Sequence, residues 1–221
     1  MRDARRTSPR LKPGVKRAQI LEVATEQFGR HGYEETKWAD VAESVGIGST
    51  ALYHYFESKQ HCLYEIIGKT VFEFREQFDR RVAEHDDWGE ALVAVLRGGF
   101  NLTGWEILRL RVVTAEHTRL GVHSSLPREE AARASARANK RDLEFAWGTF
   151  LARGMEQGLV PERSPQLLTR AVIGLYNSVW VWYRPGGSLQ LDDVARFYIE
   201  RQLDILGCDP EDAARWLAAA A

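Results

Sequence analysis

Ser49, Thr50, Tyr53 and His54 place two hydroxyls, a phenol and an imidazole on one face of a short segment. Leu52 and Phe56, at i and i+4, fall on the opposite face. Such polar groups hydrogen-bond base edges and phosphates, and a major groove just admits an α-helix. The apolar pair would hold that helix against Trp38, Val41 and Ala24. Lys59 opens the next segment, where an ammonium can reach a backbone phosphate. Taken one at a time, Tyr53 could equally be a partly buried tyrosine, and His54 and Lys59 plain surface.

The elements around this segment are short and well punctuated. Thr36 reads as an N-cap. Trp38, Val41, Ala42 and Val45 follow at i, i+3, i+4 and i+7, an amphipathic helix. Thr36 and Lys37 sit at its start, where free amides favour a phosphate. Gly46-Ile47-Gly48 breaks it, Ser49–Phe56 forms a second helix, and Glu57-Ser58 ends that one, with Ser58 free to cap the next. Two short helices joined by a glycine-containing turn are a helix-turn-helix. Upstream, Ile20, Val23, Ala24 and Phe28 form one helical face from about residue 14, closed by Gly29 and Gly32.

Downstream, Leu63, Ile66, Ile67, Val71, Phe74, Phe78 and Val82 mark a helix over 59–84, ~39 Å long at 1.5 Å per residue. Further helices are predicted over roughly 88–101, 104–120, 128–157, 165–183, 191–206 and 210–220, separated by glycine and proline breaks. The fold class is therefore all-α.

Composition narrows the function. The 221 residues are 44% hydrophobic and 28% charged, with no apolar run long enough to span a bilayer and no signal peptide in the first residues. Two cysteines, Cys62 and Cys208, make neither a disulfide framework nor a cysteine-rich zinc site, and a reducing cytoplasm is the default compartment. Seven of the first seventeen residues are basic against one acid, while the whole chain carries a net charge of −1. A basic arm on an acidic body suits a polyanion met at one end. No GxSxG, HExxH, GxGxxG or Walker loop is present, so no catalytic residue is expected. His117 and His123 lie six apart, a poor spacing for a shared metal, and no cofactor is expected.

The run Ile20–Phe28, then Gly32-Tyr33, Thr36, Val41-Ala42, Gly46-Ile47 and Leu52-Tyr-His-Tyr-Phe-Glu-Ser-Lys59 resembles the N-terminal domain of the TetR family of transcriptional regulators, over about residues 14–66. The resemblance implies a basic flexible arm (1–13), a three-helix DNA-binding domain (14–62) and a helical ligand-binding and dimerisation domain (63–221). Its DNA contacts would be Lys16, Arg17, Thr36, Lys37, Ser49, Thr50, Ala51, Tyr53, His54, Tyr55 and Lys59. Two positions depart from the family. Gly48 stands where Ser or Thr is usual, so either Ser49 supplies the hydroxyl or Gly48 is a weaker cap. Thr50-Ala51 replaces a common Gly-Thr or Gly-Ser, so no operator sequence carries over.

Aromatic residues crowd the second half, as expected of a cavity, a large interface or simply a helical core. The stretch 175–187, Leu-Tyr-Asn-Ser-Val-Trp-Val-Trp-Tyr-Arg-Pro-Gly-Gly, resembles a TetR branch tied to fatty-acid and steroid catabolism, in which acyl-CoA thioesters often serve as inducers. That implies a hydrophobic effector among residues 63–184, met by Phe74, Phe100, Trp105, Arg109, Trp147, Tyr176 and Trp180. Arg109, Arg111, Arg141 and Arg184 are candidates for CoA phosphates. The helices at 165–183 and 191–206 would pair two subunits through Leu168, Val172, Trp182, Tyr183, Phe197 and Arg201. The expected protein is a homodimeric repressor of palindromic operator DNA, released by a small hydrophobic molecule. The alternatives are a multidrug or antibiotic sensor of the same fold, a helical CoA-thioester enzyme, and an architectural DNA-binding protein.

Overall fold

The computed structural model describes residues 13–219, which form ten α-helices, one 3-10 turn and no strand. The expected all-α class is what the chain adopts. The basic residues before position 13 lie outside the described residues. The helices are α1 (Pro13–His31), α2 (Trp38–Val45), α3 (Ser49–Tyr55), α4 (Lys59–Ala83), α5 (Trp88–Phe100), α6 (Gly104–Glu116), α7 (Pro127–Glu156), α8 (Pro165–Trp182), α9 (Leu191–Leu206) and α10 (Pro210–Ala219).

Local chemistry sets most of these limits. Ser58, Asp87, Thr103 and Ser164 cap α4, α5, α6 and α8, each accepting a backbone N–H of the first turn, and Thr103 with Glu106 forms a full capping box. Pro127 and Pro165 occupy first-turn positions where a missing N–H costs nothing. Gly46 ends α2 at φ 73°, a left-handed conformation glycine takes without a Cβ penalty. The Ile47 N–H then closes on the Ala42 carbonyl at 2.9 Å. That closure aims α3 away from α2.

Two expectations need correction, and one open alternative falls to Gly48. Thr36 does not cap α2. The N-cap is Lys37, with no side-chain bond, and the Thr36 hydroxyl donates back to Gly32 O at 2.7 Å from a buried position. Gly48 rather than Ser49 is the N-cap of α3, again without a side-chain bond. The helix expected over 104–120 is α-helical only to Glu116 and tightens into a 3-10 turn through Gly121.

Two apolar cores result, and α4 runs through both. One gathers Ile20, Phe28, Val41, Leu52 and Phe56 with Leu63, Ile66 and Ile67 of α4. Val112, Leu120 and Ala136 of the body also enter it, so the first three helices are seated on α4, α6 and α7. The other core takes Phe78 of α4 with the inner faces of α5 through α10. The division expected between residues 62 and 63 thus falls inside one unbroken rod.

Candidate nucleic-acid interface and internal cavity

On α3, Leu52 and the capping Phe56 are fully buried, while Tyr53 is 54% exposed and Ser49, Thr50 and His54 are exposed. Ala51 and Tyr55 are half-buried at the edges of that face. Phe56 meets Trp38 edge-on at 6.2 Å, which fixes α3 on α2. Lys37 is exposed beside the uncapped first turn of α2, so two helix starts with open amides lie close in sequence to the polar face.

The cations near this face are mostly engaged inward. The Lys59 ammonium donates to the carbonyls of Tyr33 (2.7 Å) and Thr36 (3.0 Å) and stands 4.2 Å from the centre of the Tyr33 ring. It ties the α1–α2 loop to the start of α4. Lys16 donates to Val45 O at 2.8 Å, at the C-terminus of α2. Arg17 pairs with Glu65 and lies 4.7 Å over the Phe56 ring. Burial pushes the Glu65 carboxyl up, but hydrogen bonds from His61 and Arg17 outweigh it and hold the group below its ordinary value of 4.5. Burial raises the phenol of Tyr33, which stays neutral between Lys59 and Arg119. Lys59→Met should therefore cost about 1.5–3 kcal/mol of stability, the worth of charge-assisted bonds, and leave the salt dependence of DNA binding unchanged. Melting curves and affinities at several salt concentrations check both halves. A shallower salt slope in the variant would restore the phosphate role.

Deeper in the body lies a cavity of about 300 Å³, walled by α4 through α9. Of the residues expected to meet a ligand, Phe74, Trp147 and Tyr176 line it. Phe100 and Trp180 do not: their rings pack on each other in the core at 5.8 Å. Trp105 lies near the surface, and Arg109 is held there by Glu73 at 2.5 Å and stacked 5.0 Å from the Trp105 ring, so both also miss the cavity. Arg111 and Arg184 line a separate hollow between α1 and α6, and Arg141 is exposed. The cavity's own cations are Arg81, Lys140 and Arg170, which the aromatic-rich pattern did not single out. Thr70, Phe74, Gln77, Phe78 and Arg81 follow one stripe of α4, so helical phase was the available signal. Exposed Lys140, Arg170 and Gly174 belong to the wall, so the cavity reaches the surface between α7 and α8.

Residues 20–66 match the family of bacterial regulatory proteins, tetR family, and residues 105–206 match the tetracyclin repressor-like C-terminal domain. The chain belongs to the TetR family. Among curated relatives it is similar to the HTH-type transcriptional repressor KstR2 of Rhodococcus jostii (strain RHA1), at 28% identity over 86% of this chain and 90% of that one. Among solved structures it is similar to the TetR family transcriptional regulator PfmR from Thermus thermophilus, at 29% identity, 86% and 97% coverage and a TM-score of 0.69. AibR, crystallised with isovaleryl coenzyme A and operator DNA, shares the fold at a TM-score of 0.71 and 23% identity, covering 84% of this chain and 97% of that chain.

In this TetR-family chain the last long helices, α8 and α9, turn to solvent a face that carries Leu167, Val181 (65% exposed), Trp182 (42%), Phe197 and Ile205. Trp182, Phe197 and Arg201, expected on such a face, are exposed there. Leu168, Val172 and Tyr183 are not: their side chains are buried in the protomer's own core. Arg201 lies 5.5 Å over the Phe197 ring and pairs with Asp204 at 3.1 Å. No helix of the described residues is long and apolar enough to cross a membrane.

Proposed function

We propose that the protein is a dimeric, ligand-responsive repressor that grips an inverted-repeat operator with α3 and lets go when an acyl thioester fills the cavity. Ser49, Thr50, Tyr53 and His54 face the bases in this reading, with Ala51 and Tyr55 at the margin. Lys37 and the open amides of α2 take phosphates. The basic arm adds sequence-independent affinity. Residues 14–62 act as the DNA-binding unit and 63–221 as the effector and dimer unit, with α4 common to both. Two such chains joined at α8 and α9 present two copies of α3 to one face of a duplex. The protein works in the cytoplasm, and no catalytic step is part of the account. KstR2 relatives named as transcriptional repressors, and AibR's complex with a CoA thioester and operator DNA, support this reading.

The observation that carries it is that two helices wall the cavity and also hold the corner that comes after α3. Lys140, Leu143 and Trp147 of α7 line the cavity. At the other end of α7, Arg128 donates to Tyr55 O at 2.6 Å and the Glu129 N–H donates to the Glu57 carboxylate at 2.9 Å. Ser58, the cap of α4, donates to the Glu129 carboxylate. A ligand that shifts α4 against α7 moves this corner and re-aims α3. Coupling is reciprocal, so DNA weakens the ligand by the factor that the ligand weakens DNA.

The test is a titration of operator complex, the operator being recovered by selection from random duplexes. An acyl-CoA series should lower operator affinity by about 5- to 150-fold, while the free acids and cationic drugs leave it unchanged. Release by cationic drugs and not by thioesters would overturn the acyl-thioester assignment.

A further inference from the structure

The cavity carries a half-buried cation far along α4 from Lys140. Asn139 donates to Gly68 O at 2.9 Å, which sets Lys140 beside the level of Gly68 on α4. Trp147 meets Phe78 at 5.0 Å, and Arg81 comes next along the same stripe. Thirteen residues of helix separate Gly68 from Arg81, about 20 Å at 1.5 Å per residue. The wall between is largely apolar, with Val71, Phe74, Phe78 and Leu143, and also carries Gln77, Asn177 and Glu144, whose carboxylate pairs with Lys140 at 3.7 Å.

Arg81 is set in place by its surroundings. Its guanidinium donates to Gln77 Oε1 at 3.2 Å and lies 3.5 Å from Gly98 O. A Cβ at position 98 would stand 2.0 Å from Arg81 Nε, so glycine is what leaves room for the side chain against α5. Among the described residues no carboxylate lies within ion-pair distance of it. Burial and then neighbouring Arg80 lower its pKa, and the more distant Glu84 carboxylate only partly offsets them. A guanidinium fork matches a carboxylate bidentately. A plain saturated chain leaves that fork unused.

We propose that the effector is an acyl thioester whose chain ends in a carboxylate, with the thioester at the Lys140 end of the cavity and the carboxylate on Arg81. This rests on the acyl-thioester reading of the cavity. The probes are octanoyl-CoA and its ω-hydroxy and ω-carboxy counterparts, extended through the same three end groups to hexadecanoyl length. Binding is followed by tryptophan fluorescence and by operator release. At the best-fitting length the ω-carboxy thioester should bind about ten- to a hundredfold tighter than the methyl-ended one, the worth of a charge-assisted bond. The ω-hydroxy thioester should fall between. Arg81→Met should erase the preference, read as the ratio of ω-carboxy to methyl-ended affinity within the folded variant. Arg81→Lys, which keeps the charge without the fork, should retain part of it. Equal binding of all three end groups, or a preference that survives Arg81→Met, overturns the inference and leaves the acyl-thioester reading standing. Failure of every thioester to bind overturns both.

Discussion

Glutamate in place of Val181 should turn the protein into a monomer that holds operator DNA about a hundred- to ten-thousandfold more weakly, the span over which two linked contacts exceed one. Val181 points to solvent in the protomer at 65% exposure, near Trp182 and on the same outer face as Leu167. An apolar stripe of that kind on two adjacent helices, repeated by two-fold symmetry, makes a four-helix bundle. A carboxylate placed on that face must shed water when the two faces close, even with Arg184 nearby. The protomer's own core does not include Val181, so helicity and the protomer's packing should be kept. Sedimentation reads the mass and a DNA titration reads the affinity. A variant that stays dimeric would place the interface elsewhere.

Trp216→Ala should cost about 3–5 kcal/mol, the range for emptying a buried aromatic site. The indole is 1% exposed and seated on Gly89: a Cβ there would lie 1.8 Å from Trp216 Cε2. Trp88 stands edge-on to Trp216 at 6.0 Å, stacks on Phe150 at 5.1 Å, and leaves room for no Cβ at Gly154. Two glycines and two indoles thus interlock α5, α7 and α10. Gly89→Ala should be destabilising by the opposite route, through overpacking rather than a void. Denaturant titration by near-ultraviolet circular dichroism measures both. The N-terminal core holds none of these residues, so DNA binding well below the transition should be kept. A loss under about 1 kcal/mol for Trp216→Ala would mean that α10 is not held there by this contact.

The helix limits were legible because glycine, proline and capping residues punctuate the chain, and the fold class followed from them. The polar face of α3 was legible for the same reason, since an eight-residue segment with two apolar positions has only one way to sit. Lys59 was not. A lysine stem is long enough to fold back, and the carbonyls of Tyr33 and Thr36 that draw it inward belong to a loop whose path the pattern does not give. The residues 175–183 fail differently. They are apolar nearly all round, so spacing cannot say that Trp180 faces the core, Tyr176 the cavity and Trp182 the solvent. Leu168 and Leu167 trade places for that reason, one buried and its neighbour exposed. Arg81 was hidden because its role depends on the missing side chain of Gly98 on another helix.

The central claim is that the outward face of α3 reads base sequence, and Tyr53→Ala tests it most directly. The ring is 54% exposed and contributes nothing to the buried core, so the variant should fold as the parent does. Affinities of parent and variant are measured on the selected operator and on unrelated duplex at the same salt. The account predicts a loss of about 1–3 kcal/mol on the operator and almost none on unrelated DNA. An equal loss on both, or no loss on either, would contradict it.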